Sequence, residues 1–391
     1  MTVEAWMEQA RQQSASDLIL VPGKPPCVYI HGALQALAEE PLTPDQLNAL
    51  LQAFVPQDKR HLLTEAGDVD FAYGLPGIGR VRVNIHRQRG SCAAAMRFIN
   101  TRIPSFEELN LPDLLSRLAQ LPRGLVLVTG NTGSGKSTTL AAMVEFINHH
   151  LAKHVITLED PIEYLFSHEC CVIEQREIGE DAPSFAQALR HIVRQKPDII
   201  LIGEMRDRET IATVLTASET GHLVLGTMHT NSAAQTVERV IDVFDPAHQP
   251  QIRVQLADTL QAVVCQALLR RKDCPGMLPA LEIMIMTPAI RRAIRDSDTH
   301  LIPGMIETGQ KYGMCTMDSA LADLINAGVI GFDTAVAQAM DPERLQRLLD
   351  RPRPVAREVL GVARAERETD AQTARPAPPA LVAGPAAKPW H

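Results

Sequence analysis

An α/β fold in two parts is predicted: a small N-terminal α/β domain, then a larger domain built on a mostly parallel sheet and ending in a helical region. Three observations predict it. Gly130-Asn131-Thr132-Gly133-Ser134-Gly135-Lys136-Ser137 form a complete phosphate-binding loop between an apolar strand-like run (124–129) and a helix-forming stretch (138–143). That is the strand–loop–helix context the motif requires. From Leu121 onward, apolar runs of strand length alternate with helical stretches, the rhythm of a parallel sheet. Before about residue 115, short runs separated by Gly and Pro turns read instead as antiparallel strands.

In chain order, residues 1–13 read as a surface helix of mixed charge. Asp17–Val21 and Cys27–Ile30 read as strands around the turn at Pro22–Pro26. The segment 43–63 has helical periodicity and opens with Thr43-Pro44-Asp45, a cap and first turn. Phe71–Tyr73, Gly79–Arg87 and Ala93–Ile99 suggest successive strands, with a linker near 100–111 and two short helices within 104–120. His154–Leu158, Asp198–Ile202 and His222–Thr227 are buried-strand candidates. Beyond about Pro279 helices dominate: 288–295, 299–312, 316–327 and 332–339. The last forty or so residues, rich in Pro and Ala, cannot build a core and should be disordered apart from a helix near 355–368. The expected units are 1–110, 111–280, 281–345 and the tail 346–391.

Bulk properties narrow the function. The 391 residues allow two or three domains, and 45% hydrophobic with 21% charged residues is ordinary for a soluble protein. A net charge of −8 gives no electrostatic reason to expect a dedicated nucleic-acid binder, so no specific nucleic-acid partner is expected. No apolar run approaches the ~18 residues of a membrane span, and the N-terminus does not read as a signal peptide. A cytoplasmic protein, able to dock on a membrane complex, is expected. The seven cysteines are scattered without a C-x-x-C pair, which speaks against a zinc site or a disulfide framework.

The chemistry concentrates in four clusters and one stripe. In the loop, backbone N–H groups would wrap the phosphates of ATP, Lys136 would reach the β and γ phosphates, and the Ser137 hydroxyl would ligate Mg²⁺. Glu159-Asp160-Pro161-Ile162-Glu163 follows a predicted strand, at the sheet edge where the phosphate loop also lies. Either Glu159 or Glu163 can polarise the attacking water, and the local spacing does not separate them. An apolar strand ending in Gly203-Glu204 puts a second carboxylate toward the metal, whereas Asp198 starts that strand at the opposite edge and is structural. His222 and His229 bracket one strand, seven residues apart. That offset puts them on opposite faces and ~20 Å apart, so they do not make a two-ligand metal site. His229 is the better γ-phosphate sensor. Arg80 and Arg82 line one face of a strand, with Arg97 on a neighbouring one. Such a stripe is commonly a solvated face; in an oligomeric ATPase it can supply arginine fingers.

Taken together, residues 130–138, 157–163, 193–207 and 220–230 resemble, in order, the motifs of the secretion ATPase superfamily of type II and type IV systems. Residues 289–296 resemble the C-terminal signature of its pilus-retraction branch, except that Arg292 and Ala293 stand where that signature carries Asn and Leu. The resemblance covers roughly 1–345. It implies a PAS-like N-terminal domain followed by a RecA-like P-loop ATPase domain, assembled as a homo-hexamer. It implies ATP and Mg²⁺ as cofactors, with Gly130 to Thr138 holding nucleotide and Ser137 and Glu204 at the metal. Glu163 is implied as the base, His229 and His222 as γ-phosphate sensors, and Arg80, Arg82 and Arg97 as N-domain arginines that approach nucleotide. The implied function is a motor coupling ATP hydrolysis to pilin disassembly and type IV pilus retraction, docked on an inner-membrane platform protein. Alternatives are an auxiliary retraction ATPase beside a paralogous main motor, or a motor of a related secretion or conjugation system. A nucleotide-gated scaffold without turnover is disfavoured by the intact Lys136, Glu163 and Glu204 set.

Overall fold

The computed structural model describes residues 2–350 except His31, 76–78 and Thr101. The tail from 351 onward, including the helix expected near 355–368, lies outside the described residues.

Alternating apolar residues between 17 and 98 build an antiparallel sheet. Its strands are β1 (Asp17–Leu20), β2 (Cys27–Ile30), β3 (Ala33–Ala36), β4 (Asp68–Leu75), β5 (Gly79–Gln88) and β6 (Ser91–Phe98), in the order β3-β2-β1-β6-β5-β4. The inward residues, among them Leu18, Leu20, Val83, Ile85 and Met96, pack against the helices Val3–Gln12 and Pro44–Phe54. Each fully buried side chain of that size stabilises the fold by ~1.5–3 kcal/mol. The helical segment expected across 43–63 is broken. It stops at Phe54, and a 3₁₀ turn (Gln57–Lys59) and a second helix (Arg60–Glu65) follow. Pro56 explains the break, since it lacks an N–H and disfavours helical backbone at Val55.

The second sheet has seven strands: β7 (Gly124–Thr129), β8 (His154–Glu159), β9 (Val172–Glu177), β10 (Ile199–Ile202), β11 (Leu223–Met228), β12 (Leu260–Arg270) and β13 (Met277–Ile285). Their order is β13-β12-β7-β11-β10-β8-β9, all parallel except β13, which runs antiparallel to β12. Successive residues of each central strand enter opposite cores. Leu125 and Leu127 face one helical layer, and Val126 and Val128 face the layer containing the helix Lys136–His150. β13 reaches Ile285, so the helical C-terminal part begins with Pro288–Arg295, later than the expected 281. Only one helix, Leu114–Ala119, forms within 104–120, and the expected 299–312 helix is split into 3₁₀, α and 3₁₀ pieces.

Between the sheets the chain is tied down. The Leu165 N–H donates to the Asn100 carbonyl at 3.1 Å, next to a bridge between Asn100 and Tyr164. No helix among the described residues is long and apolar enough to cross a membrane.

Candidate functional site

The C-terminal ends of β7, β8, β10 and β11 meet at one edge of the large sheet, because parallel strands deliver all their following loops there. A cleft of about 250 Å³ opens at that edge, and Lys136, Ser137, Glu163, Glu204 and His229 all line it. A second cavity, about 370 Å³, lies against the same loop and is lined by Asn131, Ser134, Asn231, Gln266, Met317 and Met340 among others.

The loop geometry suits a polyphosphate. Gly130 sits at φ +141°, and a Cβ there would meet the Gln266 carbonyl oxygen at 2.2 Å. Gly135 sits at φ +86°, where a Cβ would meet Gln266 Nε2 at 2.8 Å. Only glycine accommodates both constraints. The helix from Lys136 to His150 has no side-chain cap hydrogen bond, so its first-turn N–H groups are left for a ligand anion. Ser134 Oγ is buried without a hydrogen-bond partner in the described structure. Lys136 is 8% exposed and donates to the carbonyls of Gly130 (3.0 Å) and Asn131 (2.9 Å). Burial pushes its ammonium below the usual range, with the Glu204 and Glu163 charges pulling the other way.

The carboxylates divide by environment. Glu159 accepts hydrogen bonds from Thr157 Oγ1 (2.6 Å) and Gln175 Nε2 (3.2 Å), and desolvation raises its pKa despite them. Glu163 is exposed at the cleft. Glu204 lies 3.1 Å from His229 Nε2 and pairs with Arg206. Desolvation would raise the Glu204 carboxyl, but Arg206 and His229 outweigh it and hold it below the usual range. A hydroxyl (Ser137) and a carboxylate (Glu204) lining one cleft are hard oxygen donors of the kind that suits Mg²⁺, which is commonly held by one or two side chains plus phosphate oxygens. No group of three or more His, Cys, Asp or Glu side chains suited to a metal ion occurs among the described residues.

Other expected site residues fall elsewhere. His222 precedes β11 at its opposite end, with Nδ1 2.9 Å from the Ala217 carbonyl oxygen, outside the cleft of its own chain. Arg80 pairs with Glu177 at 3.0 Å. Arg97 pairs with Asp17 at 2.9 Å, and Arg82, directly opposite it on β5, is exposed. Within one chain none of the three arginines lines the cleft. Asp198 accepts from the His154 N–H (2.9 Å) and Lys153 (3.1 Å), a structural role at the far edge.

Sequence reasoning missed Gln266. From β12 its Nε2 donates to the Ser134 carbonyl (2.7 Å), and its Oε1 accepts from Thr139 Oγ1 (2.8 Å), so it braces the phosphate loop from the next strand. The available signal was an amide at the centre of the apolar run 262–269, since a buried polar group needs partners. Tyr164 was missed too; its hydroxyl lies 2.9 Å from Thr138 Oγ1.

This fold and site define a P-loop ATPase with a RecA-like core and a helical C-terminal region. The chain belongs to the type II/IV secretion system protein family, which matches residues 47–300. It is 42% identical over 343 residues to the type IV pilus retraction ATPase PilT of Pseudomonas aeruginosa, covering 88% of this chain and 99% of that protein. It is 37% identical over 349 residues to the type IV pilus ATPase PilU of the same organism, covering 89% of this chain and 91% of that one. A crystal structure of the pilus retraction motor PilT with bound ADP matches with a TM-score of 0.83 at 41% identity, covering 89% of this chain and 99% of that one.

Proposed function

We propose that this chain is the ATP-hydrolysing motor of type IV pilus retraction, working as a homo-hexamer on the cytoplasmic side of an inner-membrane platform protein. The observation that carries the reading is the convergence of Lys136, Ser137, Glu163, Glu204 and His229 on one cleft at one sheet edge. Near full-length similarity to a retraction ATPase supports the choice of motor.

In this reading the loop from Gly130 to Thr138 binds the phosphates through backbone N–H groups, and Lys136 leaves the loop carbonyls to meet the β and γ oxygens. Ser137 and Glu204 hold the metal site. Mg²⁺, when bound, neutralises charge that builds on the phosphate oxygens. Glu163, exposed at the cleft, orients and deprotonates the attacking water. Glu159 is already engaged by Thr157 and Gln175, which supports Glu163 over it. His229, beside Glu204, senses the γ-phosphate. His222, Arg80, Arg82 and Arg97 lie away from the cleft of their own chain, so they are assigned to contacts with nucleotide that arise when a neighbouring subunit or domain closure brings them in. The antiparallel unit, 1–110, is read as the PAS-like domain, joined to an ATPase core at 111–280, a helical part at 281–345 and a tail at 346–391.

An auxiliary role beside a paralogous retraction ATPase is the second reading. It is favoured by the 37% identity to PilU along nearly the whole chain. Deleting the gene in its host and measuring fibre retraction separates the two. Loss restored by wild type but not by Glu163→Gln, with hydrolysis by the purified variant reduced at least about 100-fold, supports the main motor. Retraction that persists without the gene would exclude it.

A further inference from the structure

We propose that Glu177 is a positioning residue for hydrolysis: it ties Arg80 of the antiparallel sheet to the turn carrying Glu163, so that movement of the N-terminal part is felt at the base. This rests on the reading of Glu163 given above.

Glu177 ends β9, opposite Glu159 in the register of the large sheet, and is 9% exposed although β9 is an edge strand. A carboxylate so buried requires donors. Its Oε2 accepts from Arg80 Nη2 at 3.0 Å and from the Ile162 N–H at 3.4 Å. Ile162 immediately precedes Glu163, so one oxygen joins the arginine of one sheet to the catalytic turn of the other. The Glu177 N–H donates to Asp181 Oδ2 at 2.8 Å and fixes the turn that follows β9. In that same turn Glu180 pairs with Lys59, so a second cation of the N-terminal part docks beside the first.

The Arg80 side chain keeps about a quarter of its surface in solvent (27%), which makes the pair modest in energy and therefore breakable. When Arg80 withdraws, the Glu177 charge has the Ile162 N–H and water left to satisfy it. The 160–163 turn shifts in response. An interaction made in one position of the N-terminal part and lost in another is what couples two sites.

Steady-state ATP hydrolysis by the full chain, with binding of a fluorescent ATP analogue, tests this. Glu177→Gln keeps an oxygen for the Ile162 N–H but removes the charge that holds Arg80. We expect kcat to fall about tenfold, with KM and analogue Kd within about twofold. The double variant with Arg80→Ala should be no slower than the slower single variant, because both remove one link. Glu177→Asp, which keeps the charge, should recover part of the rate. Wild-type kcat in Glu177→Gln, fully additive losses in the double variant, or a KM that rises in step with the fall in kcat would overturn the proposal. Should Glu177→Gln fail to fold, the cycle of Glu177→Asp with Arg80→Ala decides: losses that do not add support the link, and fully additive losses refute it. Wild type and Glu163→Gln, measured alongside with Glu177 and Arg80 intact, report separately whether the hydrolysis reading holds.

Discussion

Every residue of β7, β10 and β11 is buried, whereas β4 and β5 alternate buried with exposed or half-exposed positions over much of their length. The first pattern belongs to parallel strands covered on both faces, and the second to an antiparallel sheet with one face on its core and one toward solvent. The consequences for chemistry differ. A doubly covered parallel sheet fixes its strand ends against two cores, so the loops leaving them hold Lys136, Glu163, Glu204 and His229 in one place. The half-open sheet has an exposed face, and that face carries a basic stripe in which Arg80 pairs with Glu177, Arg97 pairs with Asp17 and Arg82 is exposed. One sheet holds the cleft residues in place, and the other presents a half-open face whose Arg80 reaches Glu177 of the first.

The comparison breaks most visibly if the brace between β12 and the phosphate loop is removed. Gln266→Leu leaves the Ser134 carbonyl and Thr139 hydroxyl without their partner in a buried setting, at about 1–3 kcal/mol each. We expect KM for ATP to rise about tenfold or more and the melting temperature to drop by several degrees, read by steady-state kinetics and calorimetry. Unchanged KM would mean the loop is rigid without β12, and that the fully buried sheet does not hold the site through its neighbouring strands.

A subtler test lies within the acidic turn, where two carboxylates differ in burial and partners. The Glu159 pKa is raised by desolvation, so its contribution to stability is fully present below the unfolded value of about 4.3 and is lost as pH rises toward the folded value. At pH 7.5 the native chain therefore bears a penalty that Glu159→Gln removes while keeping an oxygen for Thr157 and Gln175. The variant should melt about 2 °C higher than wild type at pH 7.5 and at the same temperature near pH 4. Its loss of hydrolysis should be far smaller than that of Glu163→Gln. A lower melting temperature at pH 7.5 would show that the contacts of the carboxylate, the Glu163 backbone among them, outweigh its desolvation.

Residues that announce themselves locally were legible in the sequence. The phosphate loop, the strands leading to it, the ends of β8 and β10 and the separation of His222 from His229 all follow from short-range pattern. What escaped depends on partners distant in the chain. Gln266 meets Ser134 and Thr139 only because β12 inserts beside β7, and Arg80 meets Glu177 only because two sheets abut. β9 was not anticipated because Val172–Glu177, with its central Glu174-Gln175-Arg176, lacks the apolar run of a buried strand; it lies at the sheet edge, where two of its six residues are exposed and two half-buried. The four residues of β3 are all exposed and carry no burial pattern to read. Glu159 and Glu163 could not be told apart by spacing, because their difference is one of burial and partners.

The smallest expected effect probes the antiparallel sheet's side of the comparison. Thr43 caps the helix Pro44–Phe54 through a reciprocal box: its Oγ1 accepts from the Gln46 N–H at 3.3 Å, and its own N–H donates to Gln46 Oε1 at 3.0 Å. Leu47 and Leu51 of that helix are fully buried against the sheet's core. Thr43→Ala removes one of the two bonds at a cost of about 1 kcal/mol. Amide exchange over 44–54 should quicken about fivefold, while ATP hydrolysis stays within about twofold of wild type. If hydrolysis fell in step with the exchange, the antiparallel sheet would be acting as part of the rigid frame of the site. Faster exchange with unchanged turnover would instead mark the N-terminal part as a body that needs only to present its arginines, its own interior decoupled from the edge where the phosphates bind.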